Sequence, residues 1–194
     1  TTRGPLTVTL QLIGELSGRG MRRDAAEIND CVLVSGTLGD ARAALDVLAC
    51  RDTDDVQQNA LCERYFCPTP RTRLAQAIHH HVNAAIDVSD GLLADLEHIS
   101  AASGCAIEVQ LEALPRSAAL NAVCSAEIAR RYAATGGDDY ELALTVAPQA
   151  VGEVIAMAAA CGETLTPIGH VTDGAGVQCV GANGELVDYS RRGY

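Results

Sequence analysis

The middle of the chain encodes a buried strand, which ends in a polar turn and leads directly into a helix. The segment 82–88 is mostly apolar, and Gly91 then opens a segment with apolar residues at helical spacing, at positions 92, 93, 96 and 99. Ser89 and Asp90 are candidates to cap this helix, because their side-chain oxygens can accept amide hydrogens of its first turn. Together with Asp87 they would lie beside the positive end of a helix. Such a place suits an anion, or a divalent cation that carries one.

A second acidic cluster, with the sequence Gly-Gly-Asp-Asp-Tyr-Glu-Leu, occupies positions 136–142. It lies between a helical segment and the alternating segment 140–146, which predicts a strand. Paired glycines allow backbone conformations that a side chain would block. Taken alone, each cluster has an ordinary alternative explanation. The first can be a capped connection between strand and helix, and the second a surface loop before a strand.

Together the two clusters resemble the carboxy-terminal half of thiamine-monophosphate kinase, a family in the ATP-dependent superfamily typified by aminoimidazole ribonucleotide synthetase. The run Asp-x-Ser-Asp-Gly-Leu begins at Asp87, and the Gly-Gly-acid-Asp-Tyr-Glu-Leu run follows about fifty residues later. Two further landmarks, at 1–9 and 34–41, match the same family in the same order. Because the four landmarks extend over nearly the whole chain, their combination is more specific than any one motif.

The resemblance implies ATP-dependent phosphorylation of thiamine phosphate to thiamine diphosphate, by in-line phosphoryl transfer with Mg²⁺ bridging the phosphates. It makes Asp87 and Asp90 the catalytic residues, because both would hold magnesium. Ser89 would contact ATP, and Arg23 would stabilise the ATP phosphates. Arg22 is an alternative for that last role, because the length of this loop varies by one residue in the family.

The resemblance also implies two contacts with thiamine phosphate. Asp138 stands where the family usually has glutamate, and its side chain reaches about 1.5 Å less far. We therefore expect a weaker or water-mediated contact. Tyr194 stands at the position of an aromatic residue that packs on the thiamine rings. We leave Asp139 and Glu141 out of the site, because we expect them to shape the loop and the strand.

The length of 194 residues suits one domain, or one domain and a small appendage. The chain lacks an initiator methionine, and the residues from Val8 to Leu12 already alternate like a strand. We therefore expect 1–194 to be the carboxy-terminal domain of a longer protein, without its amino-terminal metal- and nucleotide-binding domain. By resemblance, that domain supplies much of the magnesium and nucleotide site and forms a homodimer.

The strongly acidic charge limits the classes of partner. The chain has 25 acidic residues against 14 basic ones, with a net charge of −11, and this argues against nucleic acid. Two like charges 4 Å apart repel by about 4 kcal/mol at an effective dielectric constant near 20. Carboxylates that face phosphates therefore require a cation such as Mg²⁺ between them. No apolar segment approaches the roughly 18 residues of a membrane span, so we expect no membrane partner and no signal peptide.

Three other features have structural explanations that we favour. The eight cysteines lack paired C-x-x-C spacing, which is typical of reduced thiols in a cytoplasmic protein. The histidines at 79–81 would point about 100° apart on a helix, so they favour a helix end over a metal site. The glycine-flanked turn at 36–40 could hold a phosphate at a helix start, although one such turn is weak support.

Helices interspersed with strands predict an α+β fold, with a mixed, largely antiparallel sheet and helices packed on one face. Asp173-Gly174 and Asn183-Gly184 are typical of hairpin turns between the closing strands. Two other functions stay open. The chain could belong to another ATP-dependent synthetase of the superfamily, such as an aminoimidazole ribonucleotide or selenophosphate synthetase. It could also be a nucleotide- or metal-binding module without catalysis.

Overall fold

The computed structural model describes residues 4–5, 7–15, 18, 20–50 and 55–189, and these form seven strands and seven α-helices. In chain order the elements are β1 Cys31–Ser35, α1 Asp40–Cys50, α2 Val56–Phe66, α3 Thr72–Ile78, β2 Ala84–Val88, α4 Leu92–Ser103, β3 Ala106–Gln110, α5 Ala118–Val123, α6 Ala126–Thr135, β4 Glu141–Val146, α7 Val151–Ala160, β5 Leu165–Thr172, β6 Gly176–Val180 and β7 Leu186–Val187. Short 3-10 turns precede α5 and α7.

All seven strands belong to one sheet in the order β2-β4-β1-β5-β3-β6-β7. The neighbouring strands are antiparallel except for β3 and β6, which are parallel. The predicted α+β class with a mixed, largely antiparallel sheet is therefore confirmed. None of the described helices combines the length and the apolar character that a membrane span requires. The eight cysteines are free thiols.

Helices cover both faces of this sheet. Side chains alternate between the two faces along each strand, and β1 has buried apolar residues on both. Val32 and Val34 of β1 contact the cluster that contains the leucines of α4. Leu33, between them, points to the opposite face and packs in a cluster with α3 and α7. Our prediction placed the helices on one face, and α3 and α7 add a second, smaller layer on the other.

Two local predictions are wrong. The described segment 7–15 forms no strand, and the side chains of Val8, Leu10 and Leu12 are all more than 80% exposed. An alternating pattern forms a strand only where a partner strand lies beside it, and this segment has none in the described part of the sheet. Asp173-Gly174 is not a hairpin, because β3 lies between the strands that it connects. Asn183-Gly184 does join the antiparallel pair β6 and β7, as predicted.

Gly169 allows the two central strands β3 and β5 to approach each other closely. It pairs with Val109 of β3 on one side and with Val32 of β1 on the other. A Cβ atom at this position would lie 1.9 Å from the carbonyl oxygen of Glu108. Any side chain here would therefore push β3 away from β5.

A buried ionic network fixes the start of β4. Glu141, which is 1% exposed, accepts two hydrogen bonds of 2.6 Å from Arg71 and one of 2.9 Å from Arg64. The hydroxyl of Ser35 in β1 donates a further bond of 2.5 Å to the same carboxylate. Arg71 also pairs with Glu163 at 2.5 Å. Charged groups this deeply buried require such partners, so the network ties β4 to β1, α2 and the start of α3.

Asp139 occupies the amino terminus of α1. Its carboxylate, 2% exposed, accepts hydrogen bonds from the amides of Gly39 at 2.6 Å and Ala41 at 3.2 Å. The pKa of Asp139 is raised from 3.8 to about 7, chiefly because the group is buried and in smaller part because of the neighbouring charge of Asp40. The hydrogen bonds from the two amides and the charge of Arg64 lower this pKa. The glycine-flanked turn at 36–40, which could have held a phosphate, is therefore bound by the side chain of Asp139.

We expect Gly169→Ala to lower the free energy of unfolding by about 1–3 kcal/mol or more, since the new methyl group would overlap the backbone of β3. Gly152→Ala is the matched control, because a Cβ atom there has no atom within 4 Å and the residue lies in α7. That control should be neutral or stabilising by about 0.5–1 kcal/mol. Urea unfolding measures both, and equal effects of the two substitutions would contradict the prediction.

We expect the stability of the wild-type protein, relative to Asp139→Asn, to fall as the pH rises from 3.8 to about 7. Over this interval the folded protein keeps a proton on Asp139 that the unfolded chain has already released, so raising the pH favours unfolding. Above this interval the difference should level off. Urea unfolding of both proteins at a series of pH values measures it. A difference that is constant or increases with pH would show that burial does not control this carboxyl group.

Candidate functional site at the ends of β2 and β4

The first acidic cluster lies where β2 ends and α4 begins, and its turn is held by a residue outside the motif. The carboxylate of Asp95 accepts hydrogen bonds from the amides of Ser89, Asp90 and Gly91, at 3.0, 3.1 and 3.1 Å. Gly91 is the N-cap residue of α4, and no side chain caps it. The prediction that Ser89 or Asp90 caps the helix is therefore wrong. Asp95, in the first turn of α4, instead binds amides of the turn that precedes the helix.

Gly91 makes this arrangement possible. Its φ of 118° is open chiefly to glycine, and a Cβ atom would lie 2.6 Å from the carbonyl oxygen of Thr135. No side-chain hydrogen bond caps α4, so the side chains of Ser89 and Asp90 take no part in capping. Asp90 is exposed and Ser89 is half-buried. The pKa of Asp95 is raised, mainly by burial and in part by the charge of Asp90, although the three amides oppose the shift.

The second acidic cluster is hydrogen-bonded to the first through the backbone. The amide of Asp138 donates to the carbonyl oxygen of Ser89 at 2.9 Å, and the amide of Tyr140 donates to that of Val88 at 2.8 Å. Both Asp138 and Tyr140 have left-handed backbones, with φ of 64° and 52°. β2 and β4 are antiparallel, and Val88 pairs with Glu141. The start of β4 therefore lies at the end of β2, and the two motifs form one site.

The structure separates the two candidate arginines. Arg23 lies 3.9 Å from Asp87, and both side chains are at least half exposed. Arg22 instead pairs with Asp24, and its backbone carbonyl accepts a bond from Ala85 of β2. Arg23 is thus the arginine at the site, and its contact with ATP stays a prediction.

The two predicted magnesium ligands have different neighbours. Asp87 lies near Arg23, whereas Asp90 forms a group with Asp95 and His98. Among the described residues, one potential ligand atom from each of these three lies within 4.8 Å of the others. The assignment of Asp87 and Asp90 to a metal stays a prediction, and Tyr194 lies outside the described residues.

The donor atoms of the site suit a hard cation. Exposed carboxylate oxygens, such as those of Asp87 and Asp90, are ligands that Mg²⁺ accepts, usually together with water. One oxygen of Asp95 is already bound to three amides, and the imidazole of His98 is typical of transition metals. Sequence reasoning missed Asp95 and His98. Their spacing of three residues on α4, immediately after the Ser-Asp-Gly turn, was the available signal.

The sequence matches the family model "AIR synthase related protein, C-terminal domain" over residues 27–181. The thiamine-monophosphate kinase of Salmonella typhimurium is 39% identical over 198 residues, which cover 100% of this chain and 61% of that protein. The corresponding enzyme of Caulobacter vibrioides is also 39% identical, over 100% of this chain and 56% of its own length. This chain thus spans little more than half the length of these relatives.

Solved structures agree with this match. Thiamine-monophosphate kinase from Stenotrophomonas maltophilia superposes with a TM-score of 0.81 at 40% identity, over 88% of this chain and 55% of that one. The structure "AaThiL complexed with AMPPCP and TMP" gives a TM-score of 0.77 at 34% identity, over 90% of this chain and 53% of that one. The hydrogenase maturation protein HypE of E. coli gives a TM-score of 0.72 at 26% identity, over 88% of this chain and 52% of that one. The resemblance identified in the sequence is confirmed, and the chain belongs to the family of AIR synthase related proteins through their carboxy-terminal domain.

Proposed function

We propose that the protein containing this chain transfers a phosphoryl group from ATP to thiamine phosphate, which gives thiamine diphosphate. One structural observation carries the proposal. The Asp-x-Ser-Asp-Gly and Gly-Gly-Asp-Asp-Tyr motifs, far apart in sequence, are joined by two backbone hydrogen bonds at the ends of β2 and β4. Relatives at 39% identity carry the name thiamine-monophosphate kinase, and one structural neighbour is a complex with AMPPCP and TMP.

Both reactants are anions, so the main obstacle is their mutual repulsion. Little covalent assistance is needed, and positioning together with charge neutralisation dominates such a reaction. When bound, magnesium would neutralise phosphate charge between donor and acceptor. Asp87 and Asp90 would hold it through their exposed carboxylates. No general base is required in this scheme, because a phosphate oxygen of thiamine phosphate is already an adequate nucleophile.

The remaining residues would orient the two substrates. The carbonyl oxygen of Ser89 accepts a hydrogen bond from the amide of Asp138. We assign Ser89 a contact with ATP. Arg23, with its half-exposed guanidinium, would bind the ATP phosphates. Asp138 would contact thiamine phosphate, and Tyr194 would pack on its rings. Asp95 has no direct contact with substrate in this scheme. It fixes the backbone from which Ser89 and Asp90 project.

We also infer the setting of this activity. The relatives are longer than this chain, and the additional domain would complete the metal and nucleotide site and form a homodimer. Free cysteines suit a reducing compartment, and we therefore propose a cytoplasmic location. Assays of the complete protein with ATP and a panel of acceptors separate the proposed kinase from another ATP-dependent synthetase. A module without catalysis would turn over none of them.

In the complete protein, Asp87→Asn and Asp90→Asn should each lower kcat by at least about a hundredfold, because each substitution removes a charge that faces the phosphates. Both residues are exposed, so the fold should be unaffected. Asp173→Asn, an exposed carboxylate in the connection between β5 and β6, is the matched control and should keep full activity. A coupled ATPase assay with thiamine phosphate measures kcat. Near-normal turnover in both site variants would exclude a metal role for these two residues.

The chain 1–194 alone should form no thiamine diphosphate, because it spans little more than half the length of its relatives and we propose that part of the metal and nucleotide site lies in the remainder. Purified 1–194 and the complete protein are compared at equal concentration, with thiamine diphosphate measured directly by chromatography. Product formed by 1–194 alone would show that this domain carries a complete site.

A further inference from the structure

Tyr140 combines an unfavourable backbone conformation with an exposed ring. Its φ of 52° lies in the left-handed region, which bulky residues rarely adopt, and the residue is 44% exposed. The conformation persists because the backbone on both sides is fixed. The amide of Tyr140 binds Val88, and the following residue, Glu141, is held by two arginines. Strain of this kind is concentrated at functional sites.

The neighbourhood of Tyr140 is the candidate site itself. Its hydroxyl donates a hydrogen bond of 3.1 Å to Asp138. That bond and the charge of Asp138 raise the pKa of Tyr140 above its usual value, with smaller effects from burial, Asp87 and Tyr65. The hydroxyl therefore stays protonated. Asp87 of β2 and Tyr65 of α2 are both close enough to Tyr140 to act on it electrostatically.

The contacts do not account for Tyr140 as a core residue. Buried aromatic rings stabilise a fold through the apolar area that they remove from water, and this ring keeps much of its surface in solvent. Its hydroxyl donates to Asp138, only two residues earlier in the chain. Glycine or asparagine would adopt the same backbone with less strain. The folded state alone thus gives little reason for a tyrosine here.

An exposed aromatic ring bordered by carboxylates is a favourable surface for a flat cation, because the face of the ring and the neighbouring charges both attract it. Thiamine phosphate carries such a group, a thiazolium ring joined through a short ethyl linker to the phosphate. We propose that Tyr140 is a specificity-determining residue that binds the thiazolium ring on its face, while its hydroxyl orients Asp138 toward the same substrate. This inference rests on the proposed kinase function.

The test uses kinetics of the complete protein with two variants of Tyr140. Tyr140→Asn removes the ring and tolerates the left-handed backbone, whereas Tyr140→Phe keeps the ring and removes the bond to Asp138. We expect Tyr140→Asn to raise KM for thiamine phosphate by about fivefold to thirtyfold, with KM for ATP nearly unchanged. Tyr140→Phe should raise it less. Leu186→Ala, which truncates another exposed apolar side chain, is the control and should change neither constant.

A second measurement isolates the charge of the thiazolium ring. The deaza analogue of thiamine phosphate has a ring of the same shape without the positive charge. The wild-type protein should bind thiamine phosphate more tightly than this analogue, and the preference should shrink in Tyr140→Asn but not in Tyr140→Phe. Urea unfolding should show that Tyr140→Asn is at least as stable as the wild type. If the tyrosine had a purely structural role, its replacement would lower the free energy of unfolding.

The possible failures are distinguishable. A wild-type protein without thiamine-phosphate-dependent ATP turnover would refute the proposed function itself. An active wild type whose KM for thiamine phosphate is unchanged in Tyr140→Asn would overturn the role of Tyr140 alone. An equal rise of both KM values, or a loss of stability, would assign Tyr140 to the general structure of the loop and equally overturn the proposal.

Discussion

The carboxylate of Asp95 accepts three backbone amides at the point where β2 turns into α4, and the arrangement of the site depends on this interaction. The three amides belong to Ser89, Asp90 and Gly91, which precede α4, so Asp95 reaches back from the helix and fixes the turn from which the side chains of Ser89 and Asp90 project. No side chain caps α4 itself. Asp139 has the same role at α1, where it binds the amides of Gly39 and Ala41.

Five acidic residues in and beside the two motifs form two groups that differ in burial. Asp95, Asp139 and Glu141 are almost fully buried, and each is bound to amides or arginines that compensate for its desolvation. Asp87 and Asp90 are exposed. A cation recruited from solvent requires carboxylates that it can reach. In this chain, therefore, the buried acids that shape the site are different residues from Asp87 and Asp90, which a cation from solvent can reach.

The sequence predicted what depends on local pattern and missed what depends on distant partners. Strands β2 and β4 and helix α4 agree with their predictions, because periodicity and glycine positions specify them locally. The hairpin at Asp173-Gly174 was wrong because β3, from a distant part of the chain, lies between the strands it joins. The bonds from Asp95 to the turn before α4 were missed, since Ser89 and Asp90 are themselves standard caps. The partners of Glu141, Arg64 and Arg71, are more than sixty residues away and carry no local signal.

The pairing of β2 with β4 explains how the buried network controls the exposed carboxylates. Side chains alternate along β2, so Asp87 points away from the core face that holds Ile86 and Val88. A shift of one residue in the pairing would turn Asp87 into that core and a valine into solvent. The register is set where Glu141 pairs with Val88, and Glu141 is held by Arg64, Arg71 and a hydroxyl of β1. The network around Glu141 thus supports the register in which Asp87 lies on the face opposite Ile86 and Val88.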